Sequence, residues 1–150
     1  MKVFIVAVLL LSLVSASNQL SNLRTQVGQS CASTGYLTIT EFDVEPWAPV
    51  AATSATITIE VVINRPNMGV GTITYGTVNK LQQWIYEYQV IDQPYAQYSH
   101  QTFQYVIYWP TATGNYVTQV TLGGINTPPS IDGCWTVSYT IGWGWNITSN

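Results

Sequence analysis

Apolar and polar residues alternate with a period of two along most of this chain. The clearest run is Thr56 to Ile63, with Ile57, Ile59, Val61 and Ile63 on one side and Thr56, Thr58 and Glu60 on the other. Successive side chains of a β-strand point to opposite faces, so this pattern predicts a strand with one buried face. The same reasoning predicts strands at Tyr36 to Val44, Gly71 to Val78, Leu81 to Ile91, Gln101 to Trp109, Tyr116 to Leu122 and Cys134 to Ile141. Turn chemistry separates them. Pro46 and Pro49 remove ladder donors after the first strand, and Asn64 to Gly71 holds a proline, asparagines and two glycines. Asp92 to Ser99 reads as a polar loop carrying tyrosines, Pro110 to Asn115 as a turn, and Gly123 to Gly133 as a Gly/Pro loop. No stretch after the N-terminus shows a helical period. The prediction is a single all-β domain, an immunoglobulin-like β-sandwich of about seven antiparallel strands.

The N-terminus breaks the alternation. Lys2 precedes an apolar run, Val3 to Leu13, interrupted only by Ser12, and Val14-Ser15-Ala16 offers small or short residues at a cleavage site. That is the pattern of a secretory signal peptide over residues 1–16, leaving one domain over 17–150. Asn18 to Gln29 is a polar lead-in. Export through an oxidising compartment permits a disulfide, and the only two cysteines, Cys31 and Cys134, are expected to form it between the first and last strands. The expected location is outside the cell or in the lumen of an endosomal or lysosomal compartment. Asn146-Ile147-Thr148 is an N-glycosylation acceptor at Asn146.

Composition removes several function classes. The chain is 47% apolar and 7% charged, against about 25% charged for an average domain. Its net charge is −3, and beyond the leader the basic residues are Arg24, Arg65 and Lys80 against seven acidic ones. No basic patch exists to neutralise phosphates, which argues against nucleic acid and against electrostatic docking on anionic membranes. Transient membrane contact is compatible with the composition, and a monomer is expected.

Catalytic chemistry finds little to use. His100 is the sole histidine and cannot supply base, orienter and nucleophile together. Asp43 and Glu45 stand two apart, as paired carboxylates do, but Pro46 follows them and makes an exposed strand end with solvated charges the expectation. Neither a zinc pattern nor a cluster of oxygen ligands is present, since Asp92 and Asp132 are isolated. The chain is expected not to be an enzyme and to need no cofactor or metal.

The remaining signal is aromatic: six tryptophans and ten tyrosines, more than a small core needs. One reading spends them on core and cross-strand pairs. The other has splayed sheets around an apolar cavity, with tyrosine hydroxyls at its mouth. Trp143-Gly144-Trp145 near the C-terminus fits either an exposed anchor or packing against the domain end.

At this point the residues resemble the ML (lipid-recognition) domain family, which includes the secreted Niemann–Pick type C cholesterol carrier and the phosphatidylglycerol/phosphatidylinositol transfer proteins. The resemblance covers roughly Cys31 to Ile141. Leu37-Thr38-Ile39 with Phe42-Asp43-Val44-Glu45-Pro46-Trp47-Ala48-Pro49 is similar to the family's opening strand and proline-rich turn. Trp109-Pro110-Thr111-Ala112-Thr113-Gly114-Asn115-Tyr116-Val117 resembles its later turn, and Cys134-Trp135-Thr136-Val137 its closing cysteine strand. The resemblance implies that Cys31 pairs with Cys134 and that one lipid lies between the sheets. The internal cysteines of many members are absent, and Gly123-Gly124 stands where an acidic residue is often found.

The resulting expectation is a secreted lipid-binding or transfer protein holding a sterol, fatty acid or phospholipid tail. The alternative is a recognition or adhesion module that binds sugar or protein through exposed aromatics. Alternation and the resemblance nominate Ile57, Ile59, Val61, Trp84, Tyr86, Phe103, Tyr105, Ile107, Val120, Trp135 and Val137 as inward-facing lipid contacts. Phe103, Tyr105 and Ile107 are expected to face Ile57, Ile59 and Val61 across the cavity. Leu81 to Ile91 is ambiguous, because Trp84, Tyr86, Tyr88 and Val90 form one apolar face and Leu81, Ile85 and Ile91 another.

Overall fold

The structure is a computed structural model that describes residues 26–127 and 129–142. The leader, the Trp143-Gly144-Trp145 tail and Asn146 lie outside those residues. The described residues form eight strands and no helix: β1 (Gln29–Ser33), β2 (Leu37–Glu45), β3 (Ser54–Ile63), β4 (Met68–Asn79), β5 (Trp84–Tyr95), β6 (His100–Tyr108), β7 (Gly114–Gly124) and β8 (Ile131–Ile141). A five-stranded antiparallel sheet, β1-β8-β7-β4-β5, faces a three-stranded one, β2-β3-β6.

Seven of these strands sit where alternation predicts them. The eighth, β1, has five residues, all exposed, so no apolar rhythm announces it. It forms by pairing with β8, Ala32 opposite Cys134. The Cys31–Cys134 disulfide joins these neighbouring strands across 103 residues of chain, with Cα atoms 5.1 Å apart. Just ahead of it, Val27 is buried and its carbonyl accepts from the Trp135 indole Nε1–H at 2.8 Å.

Two predicted loops are shorter than expected. β5 runs on to Tyr95, because the register against β4 slips rather than ends. Val90 pairs with Thr72 and Gln93 with Val70, so Ile91 and Asp92 bulge, and Asp92 takes a φ of 49°. The Gly/Pro loop likewise closes early, with Asp132 already inside β8. The β4–β5 hairpin turns on Asn79, whose Oδ1 accepts from the backbone N–H of Leu81 at 2.9 Å and of Gln83 at 3.1 Å.

The core lies between the inner faces. Phe42, Ile59, Val61, Ile73, Val120 and Leu122 are fully buried, each contributing about 1.5–3 kcal/mol relative to exposure. The two sheets' backbones pass close to each other at β2 and β8. There Phe42 stacks on Trp135, ring centroids 5.5 Å apart. At one end Trp109, Tyr139 and Trp47 meet edge to face, Trp109 and Tyr139 at 4.8 Å. Asp43 corrects the expectation of a solvated strand end. It is buried, and its backbone bridges Gln26.

Candidate functional site

Nine of the eleven nominated contacts lie on the inner faces. Ile57, Ile59 and Val61 on β3, Phe103 and Ile107 on β6, Val120 on β7, and Trp135 and Val137 on β8 are buried; Tyr105 is half-buried. Their arrangement differs from the expected one. β6 is β3's neighbour, with Tyr105 in register with Ile57 and Phe103 with Ile59. The two trios therefore line one face side by side and do not oppose each other. Alternation reveals which face a residue takes, and strand order is decided by pairing.

What faces β6 is the other sheet's β4 and β5. Tyr105 stacks on Tyr75 at 4.5 Å with planes 13° apart, and Phe103 meets Tyr95 edge to face at 6.1 Å. The two stacked phenols are anchored differently. Tyr75 donates to Gln89 Oε1 at 2.9 Å, and Tyr105 donates to Glu87 Oε2 at 3.2 Å. Gln89 Nε2 in turn donates to the Gln104 carbonyl of β6 at 3.1 Å. The interior at this side thus ends in two tyrosines roofed by polar residues of an edge strand. Burial first, then Tyr105 and Glu87, hold the Tyr75 phenol well above its usual range. Burial and Glu87 also raise Tyr105. Both phenols stay neutral donors around neutral pH.

Sequence reasoning placed Tyr75 in a strand and missed Glu87, Gln89 and Gln104 altogether. The signal was present in β5, where Glu87 and Gln89 interleave with the aromatics. It was masked because that strand offers two apolar faces.

Trp84 and Tyr86 are corrected. They project from the outer face of the five-stranded sheet, 40% and 50% exposed. With Tyr88 they form a ladder of near-parallel rings, centroids 5.5 Å apart between Trp84 and Tyr86 and 6.4 Å between Tyr86 and Tyr88. The reason is the position of β5. It is an edge strand whose opposite side carries the Glu87 and Gln89 that meet the tyrosines, and pleating then sends the aromatics outward.

Among the described residues no group of three or more His, Cys, Asp or Glu side chains converges as a metal would need. His100 opens β6 and is exposed. Asp132 is wholly buried, its Oδ1 accepting from Ser130 Oγ at 2.7 Å.

No protein-family profile matches the chain, and no curated protein matches it in sequence. Solved structures do match in fold. The C-terminal domain of wzt aligns at a TM-score of 0.54 and 8% identity, over 81% of this chain and 89% of that one. A Niemann-Pick type C2 protein from the Japanese carpenter ant aligns at 0.52 and 9% identity, over 77% of this chain and 99% of that one. At such identities the likeness is one of fold: a two-sheet β-sandwich.

Proposed function

We propose that this chain is a secreted, non-enzymatic ML-type protein that holds one lipid between its sheets. The lipid is a sterol, a fatty acid or a phospholipid tail, admitted at the β5–β6 side. The observation that carries this reading is the Tyr75–Tyr105 closure. It stands over an apolar inner face, and few hydrogen bonds hold it shut. Breaking the two neutral bonds costs about 1 kcal/mol each, and the one to the Glu87 carboxylate about 1.5–3 kcal/mol. Burying about five or six methylenes at ~0.8 kcal/mol apiece offsets that, and a lipid tail has many more. The rings that now occupy the space would swing toward the edge as the tail takes their place.

The fold shared with a Niemann-Pick type C2 protein supports the reading at the level of architecture. The leader-like N-terminus and the disulfide support secretion. The test is native mass spectrometry of the secreted protein, with displacement of a fluorescent fatty acid from the delipidated form. An adduct of lipid mass and saturable probe binding are expected. A bare protein that also ignores the probe would end the proposal.

A further inference from the structure

The geometry points to a second binding surface: the outer face of the five-stranded sheet, along Trp84, Tyr86 and Tyr88, binds an uncharged oligosaccharide. Three successive outward positions of β5 leave aromatic rings 40%, 50% and 61% exposed. Large aromatic side chains contribute most to stability when buried, and here three in a row forgo it. The rings are also held. Gly76 lies opposite Tyr86 in register, and a β-carbon there would sit 2.8 Å from Tyr86 Cε1 and 3.2 Å from Trp84 Cε3. The missing side chain is what lets both rings settle onto the sheet, an arrangement known from aromatics that cover strand glycines. A surface ordered before binding loses less entropy on binding.

The neighbouring residues decide the ligand chemistry. Tyr88 is in register with Thr74 and, one strand on, Thr121; the Tyr86 row continues through Gly76 to Gln119 and Thr136. The Trp84 row runs through Val78 and Val117 to Ser138, where the face dips into a groove of about 480 Å³ with Lys80 at its hairpin end. None of the residues in these three rows is charged. A pyranose chain matches this combination. Its C–H faces lie on aromatic rings, and its hydroxyls exchange hydrogen bonds with neutral hydroxyls and amides. An anionic polymer finds no basic row. A bilayer would bury the threonine and glutamine groups without partners. The surface lies on the opposite side of the sheet from Tyr75, so the inference stands apart from the lipid reading.

The test is affinity electrophoresis of the mature protein through soluble neutral polysaccharides: a β-glucan, a xylan, a mannan and a galactan. At least one is expected to retard it. Trp84→Ala and Tyr86→Ala should each weaken binding roughly tenfold. Gly76→Ala should weaken it while keeping every aromatic, and Tyr108→Ala, an exposed tyrosine of the other sheet, should change nothing. Fatty-acid probe binding should be the same in all four variants. Migration unaffected by all four polysaccharides would overturn the inference. So would retardation that survives Trp84→Ala and Tyr86→Ala together, or a ladder that serves instead for self-association or for adsorption to phosphatidylcholine vesicles. The two ladder alanines replace exposed side chains, so the test holds even if Gly76→Ala does not fold.

Discussion

Tyr105 and Tyr75 come from opposite sheets and stack 4.5 Å apart, yet their hydroxyls end on different residues of one edge strand, Glu87 and Gln89. The pair therefore joins three strands, β4, β5 and β6, at the side where the proposed lipid would enter. A ring that is half-buried and held by one hydrogen bond is easier to move than the fully buried side chains behind it.

Tyr105→Ala is expected to cost about 1–2 kcal/mol of stability, near the value of one aromatic pair and its partial burial. Phe103→Ala, fully inside the same strand, should cost about 3–5 kcal/mol. With the closure gone, a fluorescent fatty acid should associate faster with Tyr105→Ala than with the parent protein. Urea melts and stopped-flow probe binding report the two effects separately. Equal stability losses with unchanged association would mean that Tyr105 is ordinary core.

Alkaline pH should weaken the fold. The Tyr75 and Tyr105 phenols are raised above their ordinary value of 10.0 in the folded state, chiefly by burial. Their contribution is complete below pH 10.0. Above it the unfolded chain sheds protons that the folded one keeps, so stability falls as pH rises toward the folded values. Urea unfolding at a series of pH values should show this decline, and Tyr75→Phe should flatten it. An identical slope in the variant would remove Tyr75 from the account.

Loss of the disulfide should be the largest single covalent effect. On the chain-entropy account, closing a loop of about 100 residues is worth up to ~4.7 kcal/mol. The strand it holds, β1, has no buried residue of its own. Cys31→Ala with Cys134→Ala should lower Tm sharply, and amide exchange should accelerate first in β1. A melting temperature within a degree or two of the parent would show that the Trp135–Val27 contact already suffices.

Gly124→Ala should destabilise although alanine is smaller than most strand residues. A β-carbon at Gly124 would fall 2.7 Å from Asp132 Oδ2 and closer still to Asn126 Oδ1, inside a packed polar corner. Overpacking of this kind costs about 1–3 kcal/mol. Thermal melts of Gly124→Ala beside Gly35→Ala, where a β-carbon would meet nothing within 4 Å, distinguish crowding from local backbone strain. Gly35 has a φ of 79°, so its loss would be conformational.

The sequence by itself determined the class of fold and most of the buried face. Ile57, Ile59, Val61 and Ile63 alternate so regularly that only one side of β3 can face a core, and every one of them is buried. Two cysteines admit one pairing, and that pair is formed. Tertiary structure decided what alternation leaves degenerate. β5 is apolar on both faces, so period two could not choose between Trp84/Tyr86 and Ile85/Ile91, and the tyrosines packed under Glu87 and Gln89 made the choice. Strand order was equally invisible: Phe103 and Tyr105 sit beside Ile59 and Ile57 because β6 hydrogen-bonds to β3, a long-range pairing that no local pattern encodes. β1 carries no apolar signal at all and exists because β8 offers an edge and a cysteine. Local periodicity records which residues leave water, whereas neighbours are set by backbone hydrogen bonds between segments far apart in the chain.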